Sequence, residues 1–171
     1  MDKTTYLLRS LFLCIILSLL YSICIFAQNQ PSALEKLALE AEMIVTGKVT
    51  QLESNWNEKQ TRIYTTITIN ADQFLKGEQS DHTITIKEPG GEVGETGELY
   101  THVPKFSMNE EVLLFVKKDK SNNLRVAGGA KGKLSIITDK NTGSKTINGR
   151  QSYNILLKKI SKILDKEELK K

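Results

Sequence analysis

Alternation of apolar and polar positions dominates the chain from Met43 to Thr138. In "MIVTGKVTQLES" (Met43–Ser54), Val45, Gly47 and Val49 alternate with Thr46 and Lys48, the period of a strand. A glycine inside a strand weakens it unless a bend, a bulge or a close backbone approach requires it. "RIYTTITINADQF" is the clearest strand. Ile63, Thr65, Ile67, Ile69 and Ala71 share one face, and Tyr64, Thr66, Thr68 and Asn70 share the other. Its β-branched residues suit a pleated, half-buried surface. "HTITIKE" predicts a third strand with Ile84 and Ile86 inward. "EVLLFVKK" is apolar on both faces, which predicts a strand covered on both sides. "LRVAGG" and "KLSIIT" predict two more, and the turn-rich "DKNTGSKTINGR" a small hairpin.

The period changes to that of a helix at both ends. "PSALEKLALEAE" has Ser32 and Glu35 at capping-box spacing, with Leu34, Leu37 and Ala38 on one face. At the C-terminal end, Tyr153, Leu156, Leu157, Ile160, Ile163 and Leu164 form an apolar stripe, while Lys158, Lys159, Lys162 and Lys166 take the opposite face. Five or six short strands separated by turns, with no alternating βαβ units, predict a mainly β domain, a small barrel or a sandwich.

Ahead of this domain, Lys3 and Arg9 precede the apolar run "LFLCIILSLLYSICIFA" (Leu11–Ala27), and polar "QNQPS" follows it. That order describes a secretory signal peptide over 1–27, cleaved after Ala27. Lipidation at Cys24 is disfavoured by Ile23 before it, where a small residue is wanted. Retention as an anchor is the other alternative, because the run is nearly long enough to span a bilayer. Both cysteines, Cys14 and Cys24, fall inside the leader. The mature chain would then enter an oxidising compartment without a disulfide, a thiolate metal site or a cysteine nucleophile. The expected products are a barrel domain with its leading helix over 28–149 and a helix over 150–171 packed on it.

Charge narrows the partners. The whole chain carries 24 Lys and Arg against 20 Asp and Glu. Without Asp2, Lys3 and Arg9 it carries 22 against 19, a net +3. The tail from Arg150 onward holds seven basic and three acidic residues, so the body is near neutral at −1. A near-neutral body argues against a nucleic-acid surface. The tail helix is expected to pack its stripe and solvate its lysines. Lying on an anionic membrane is the alternative, and the helix lacks the Trp or Phe such helices often use.

The segment "EPGGEVGETGELYTHVPKFSMNEE" (Glu88–Glu111) is the natural place to look for chemistry, since long loops often carry function. It has four glycines, six glutamates and one lysine, a net −5, so a basic partner suits it better than a phosphate. Glu88, Glu92, Glu95 and Glu98 are three or four apart, but Pro89 and the glycines oppose a helix that would align them. With His82 and His102 as the only histidines, neither zinc nor calcium spacing is met, and no metal or other cofactor is expected. "GGAKGKL" lacks the P-loop spacing, because Gly128 and Gly132 are four apart and Lys133 precedes Leu134. Neither Gly-x-Ser-x-Gly nor HExxH occurs, and a glutamate pair drawn from this loop would be a weak sign of hydrolysis.

The stretches "AEMIVTGKV", "RIYT", "LKG", "PGGEVG", "PKF", "EEVLLF" and "GGAKGKL" resemble a family of secreted bacterial proteins of unknown function. More distantly, a short helix leading into "EMIVTGKV", then "YTTITINADQFLKG", then "EEVLLFV" is similar in order to netrin-like domains, which include the tissue inhibitors of metalloproteinases. That resemblance implies a small OB-like barrel of five to six strands with a short N-terminal helix and a C-terminal amphipathic helix. Those inhibitors act through an N-terminal cysteine on the protease zinc. The mature start here, Gln28-Asn29-Gln30-Pro31, has none, so the inhibitory residues are not carried over.

The expectation is an exported, non-catalytic binding module for a protein or other extracytoplasmic ligand. A netrin-like inhibitor without the cysteine and a small secreted hydrolase are the alternatives. The expected contact surface is the Trp56 turn in "SNWNEK" with Tyr64, Glu88, Gly90, Gly91, Glu92, His102 and Phe106. Trp56 has two readings, tucked under a rim or exposed as an anchor.

Overall fold

The computed structural model describes residue 12 and residues 31–169. The expected leader, its expected cleavage point and both cysteines lie outside the described residues, Phe12 apart. The chain divides into two compact units, Met1–Ser32 and Ala33–Lys171, and the second is the subject below. Among the described residues no helix is long and apolar enough to cross a membrane.

The unit is mainly β with two helices. Helix α1 (Ala33–Glu40) leads into β1 (Met43–Trp56) and β2 (Ile63–Lys76), then β3 (Thr83–Pro89). Two short strands follow, β4 (Gly91–Val93) and β5 (Thr96–Glu98). Next come β6 (Glu111–Lys118), β7 (Leu124–Val126), a 3-10 turn (Gly129–Gly132) and β8 (Lys133–Thr138). The chain ends in β9 (Lys145–Ile147), β10 (Gln151–Ser152) and α2 (Tyr153–Glu168). The main sheet is antiparallel in the order β10-β9-β8-β6-β1-β2-β3, with β7 also paired to β6; β4 and β5 pair only with each other.

The two faces of this sheet explain the sequence pattern. Val112, Leu114 and Val116 of β6 face one core with Val45, Val49, Ile67, Ile69, Ile84 and Ile86. Leu113 and Phe115 face a second core with Ile44, Ile136 and Ile147, closed by Ala38 of α1 and Leu156 and Ile160 of α2. Hence β6 is apolar on both faces from Val112 to Val116, while β2 and β3 alternate.

Gly47 answers the question raised by a glycine in β1. The β1–β2 register shifts between Thr46 and Gly47 and again between Val49 and Gln51, the mark of bulges that bend a strand. A Cβ at Gly47 would lie 2.9 Å from Ile69 Cγ2 and 3.0 Å from Ala71 Cα, and closer still to the Asn70 carbonyl oxygen.

Several expectations need correction. The hydrogen-bonded path ends at β3 and β10, so the sheet is not the closed barrel of five to six strands that was expected. β7 is only three residues long, and no backbone ladder joins it to β3. The two strands meet through a side chain, Glu88. The segment 88–111 is not irregular throughout, because Gly90 (φ 98°), Gly91 (φ 131°) and Gly94 (φ 60°) supply the reversals that make the β4–β5 hairpin. Trp56 is the last residue of β1, opposite Ile63, rather than part of the turn. The final helix starts at Tyr153, because Gln151 and Ser152 are held by β9.

Candidate functional site

One cavity, of about 640 Å³, lies where β1, β2 and β3 run out beneath the β4–β5 hairpin. Leu52 and Ser54 reach it from β1, Thr65 and Ile67 from β2, and Glu88 and Pro89 from β3. Leu99, Tyr100, Val103, Pro104 and Phe106 complete the apolar wall, with Glu92, Glu98 and Lys105 at the polar positions.

A short chain of hydroxyls holds the hairpin over this cavity. Ser54 Oγ lies 2.9 Å from Thr65 Oγ1, which donates to the Gly90 carbonyl at 2.7 Å. The Gly90 amide donates to the Ile63 carbonyl at 2.8 Å. A Cβ on Gly91 would collide with both hydroxyl oxygens, so the residue there must be glycine for the hairpin to seat. On the rim, Tyr100 donates to Glu98 Oε2 at 2.9 Å and accepts from Arg62 Nη1 at 3.3 Å. The hydrogen bond to Glu98 raises the Tyr100 phenol above its ordinary value.

Glu88 forms the back of the site. It is 5% exposed and continues the inward face of Ile84 and Ile86. Its Oε1 accepts from the Val126 amide at 2.7 Å, and its Oε2 lies 3.6 Å from Arg125 Nη2. Burial raises its carboxyl above the ordinary range, and the Val126 amide and Arg125 oppose that shift without cancelling it.

Phe106 is anchored from outside. It packs on the first core, and Lys133 Nζ sits 5.3 Å from its ring centre. Lys133 and the Ser135 hydroxyl both donate to Glu110 Oε1, and the Ser107 amide donates to Oε2 at 3.1 Å. Burial pushes Glu110 up, but these hydrogen bonds outweigh it and hold the carboxyl below its usual value.

Five of the eight residues singled out in the sequence line the cavity: Glu88, Gly90, Gly91, Glu92 and Phe106. Three do not. Trp56 is 37% exposed on the β1 end, and Tyr64 lies opposite Asn55 and Pro89 with Lys87 Nζ 5.1 Å above its ring. His102 is exposed, and its carbonyl accepts from the Ala130 amide at 2.8 Å, which ties the segment to the 3-10 turn. Among the described residues, no three carboxylate, imidazole or thiol groups converge on a point where a metal ion would sit.

Sequence reasoning missed Ser54, Thr65, Glu98 and Tyr100. For Thr65 a signal existed: it is a polar residue in phase with the apolar face of β2. Glu88 shows the same signal on β3. What the geometry defines is an open-sheet β domain with a lateral, mostly apolar cavity. The chain matches no protein-family model and no curated protein sequence at a significant level.

Proposed function

We propose that this chain is an exported, non-catalytic binding module whose ligand occupies the cavity beneath β4–β5. The observation that carries the reading is a pre-formed, largely apolar cavity of about 640 Å³ with a roof pinned by Ser54, Thr65 and Gly90. That size and lining suit a small organic ligand or one side chain of a partner protein. Glu92 and Glu98 at the polar positions, against Lys105 alone, favour an apolar body with a basic end. Export rests on the leader pattern over 1–27, and cleavage would leave the module in an extracytoplasmic space. The OB-like, netrin-like architecture is supported by element order and by the strand neighbourhood β3-β2-β1-β6, with Glu88 standing where a barrel would have its closing ladder.

The test is an amide NMR titration with matched apolar amines and apolar carboxylic acids. Expected are shifts clustered at residues 90–106 with the amines, lost when Val103→Trp fills the cavity. Scattered shifts, or a preference for the acids, would remove the reading.

A further inference from the structure

The second face of the sheet carries a site of opposite character. A groove of about 830 Å³ lies between α1, the 3-10 turn, β8 and the β9–β10 turn. Phe115, Ile147 and Leu156 contribute to it from the second core, and Leu34, Leu37 and Leu134 remain only partly covered beside them. Four of its five charged lining residues are cationic, Glu40 being the exception. Lys36 on α1, Lys131 on the 3-10 turn and Arg150 after β9 are exposed, and none has a side-chain hydrogen bond or ion pair among the described residues. The other charged residues lining it are committed elsewhere: Glu40 lies 3.8 Å from Lys117, and Lys133 is paired with Glu110.

A second feature adds to the positive field. Helix α2 starts beside Gln151, another residue of the groove wall. Its first turn holds no acidic residue, and the Ser152 side chain makes no capping hydrogen bond. The positive end of a 16-residue helix is therefore left uncompensated next to Arg150.

We propose that this groove binds a single-chain anionic amphiphile, a long-chain carboxylate, with its hydrocarbon over Leu34, Leu37 and Leu134 and its carboxylate among Lys36, Lys131 and Arg150. An apolar trough of this volume is in the range of small-ligand sites, and three exposed cations at its edge, without a side-chain partner among the described residues, select the sign of the head group. The site is independent of the cavity beneath β4–β5, since the two are lined from different cores.

The test is calorimetry on the full domain with octanoate, decanoate and dodecanoate below their micellar concentrations, against dodecyltrimethylammonium as the cationic control. The proposal expects one saturable site, with affinity rising by up to about fourfold per added methylene. It expects dodecanoate to bind at least about tenfold tighter than the cationic chain, a gap that a few charge contacts supply. The Lys36→Glu, Lys131→Glu and Arg150→Glu triple variant should remove that preference, and Ala130→Trp, which fills an exposed edge, should abolish binding; circular dichroism verifies folding of each. Absence of saturable binding, equal affinity for both head groups, or affinity unchanged in the folded variants would each overturn it. If neither variant folds, the ratio between the two head groups in the unaltered protein decides.

Discussion

Glu88 is where the sheet is joined by a side chain instead of a ladder, and replacing it separates two effects. In Glu88→Ala, the Val126 amide loses its acceptor. A buried unsatisfied amide costs about 1–3 kcal/mol. The side chain lines the cavity, so its removal lets water approach the amide and pulls the cost toward about 1–2 kcal/mol. The Arg125 partner is about one-third exposed, so the lost ion pair adds at most about 1 kcal/mol. Glu88→Gln keeps an acceptor for the amide and removes a charge whose burial is unfavourable, so at neutral pH it should stay within about 0.5 kcal/mol of wild type.

The pH dependence has a definite sign. Glu88 has a raised carboxyl in the folded state, so the fold binds a proton more readily than the unfolded chain does. Its contribution is fully present below the ordinary glutamate value and is lost as pH rises through the raised one. Glu88→Gln lacks that contribution and should compare least well with wild type in acid and best at neutral pH. Urea midpoints from pH 4.5 to 7.5, with constant slope m, measure both effects. Hydrogen exchange at the Val126 amide reports the seam directly. If Glu88→Gln is as damaging as Glu88→Ala at pH 7, or its stability runs parallel to wild type with pH, the assignment of Glu88 as a buried, amide-accepting carboxylate fails.

Three further outcomes follow from the same structure. Gly47→Ala should cost about 3 kcal/mol by urea denaturation, because its Cβ meets backbone atoms of Asn70 and Ala71 that cannot swing aside. Glu110→Gln should flatten acid sensitivity: the lowered Glu110 carboxyl supplies stability above the ordinary glutamate value that is lost as pH falls through the lowered one, and a thermal-melt series from pH 3 to 6 reads this out. Truncation before Ser152 strips Leu156 and Ile160 from the second core, roughly 3–6 kcal/mol of burial, and should abolish cooperative unfolding in differential scanning calorimetry.

The strands were legible because each core imposes a period. β6 and β8 fall where "EVLLFVKK" and "KLSIIT" place them, since one buried face or two leaves a direct mark on sequence. The C-terminal stripe was legible for the same reason, and α2 buries Leu156 and Ile160 along it. The β4–β5 hairpin was not. Its two strands are three residues each and bury little, so no apolar period reveals them. Their pairing depends on backbone angles that glycine permits but does not announce. Closure was illegible for a different reason: whether a sheet's edges pair is decided by strand length and by what lies between them, and β7 is cut short after Val126 by residues that turn into the 3-10 segment.

The polar residues that matter most share one property that sequence does show. Thr65 and Glu88 both sit in phase with an apolar face, Thr65 between Ile63 and Ile67, Glu88 after Ile84 and Ile86. A polar side chain in such a position must find a partner or lose stability. Thr65 finds the Gly90 carbonyl and Glu88 the Val126 amide, and each bond ties together two segments that share no ladder, β2 with the hairpin in one case and β3 with β7 in the other. Tyr64 lies out of phase with this face and His102 outside the strands, while Trp56 is in phase with Leu52 and Ser54 but ends β1, and none of the three reaches the cavity. In an open β sheet of this kind, phase narrows the candidates more than residue type does, and position along the strand decides among those in phase. An aromatic or histidine attracts attention by type, whereas a carboxylate on the wrong face is there because something across the gap requires it.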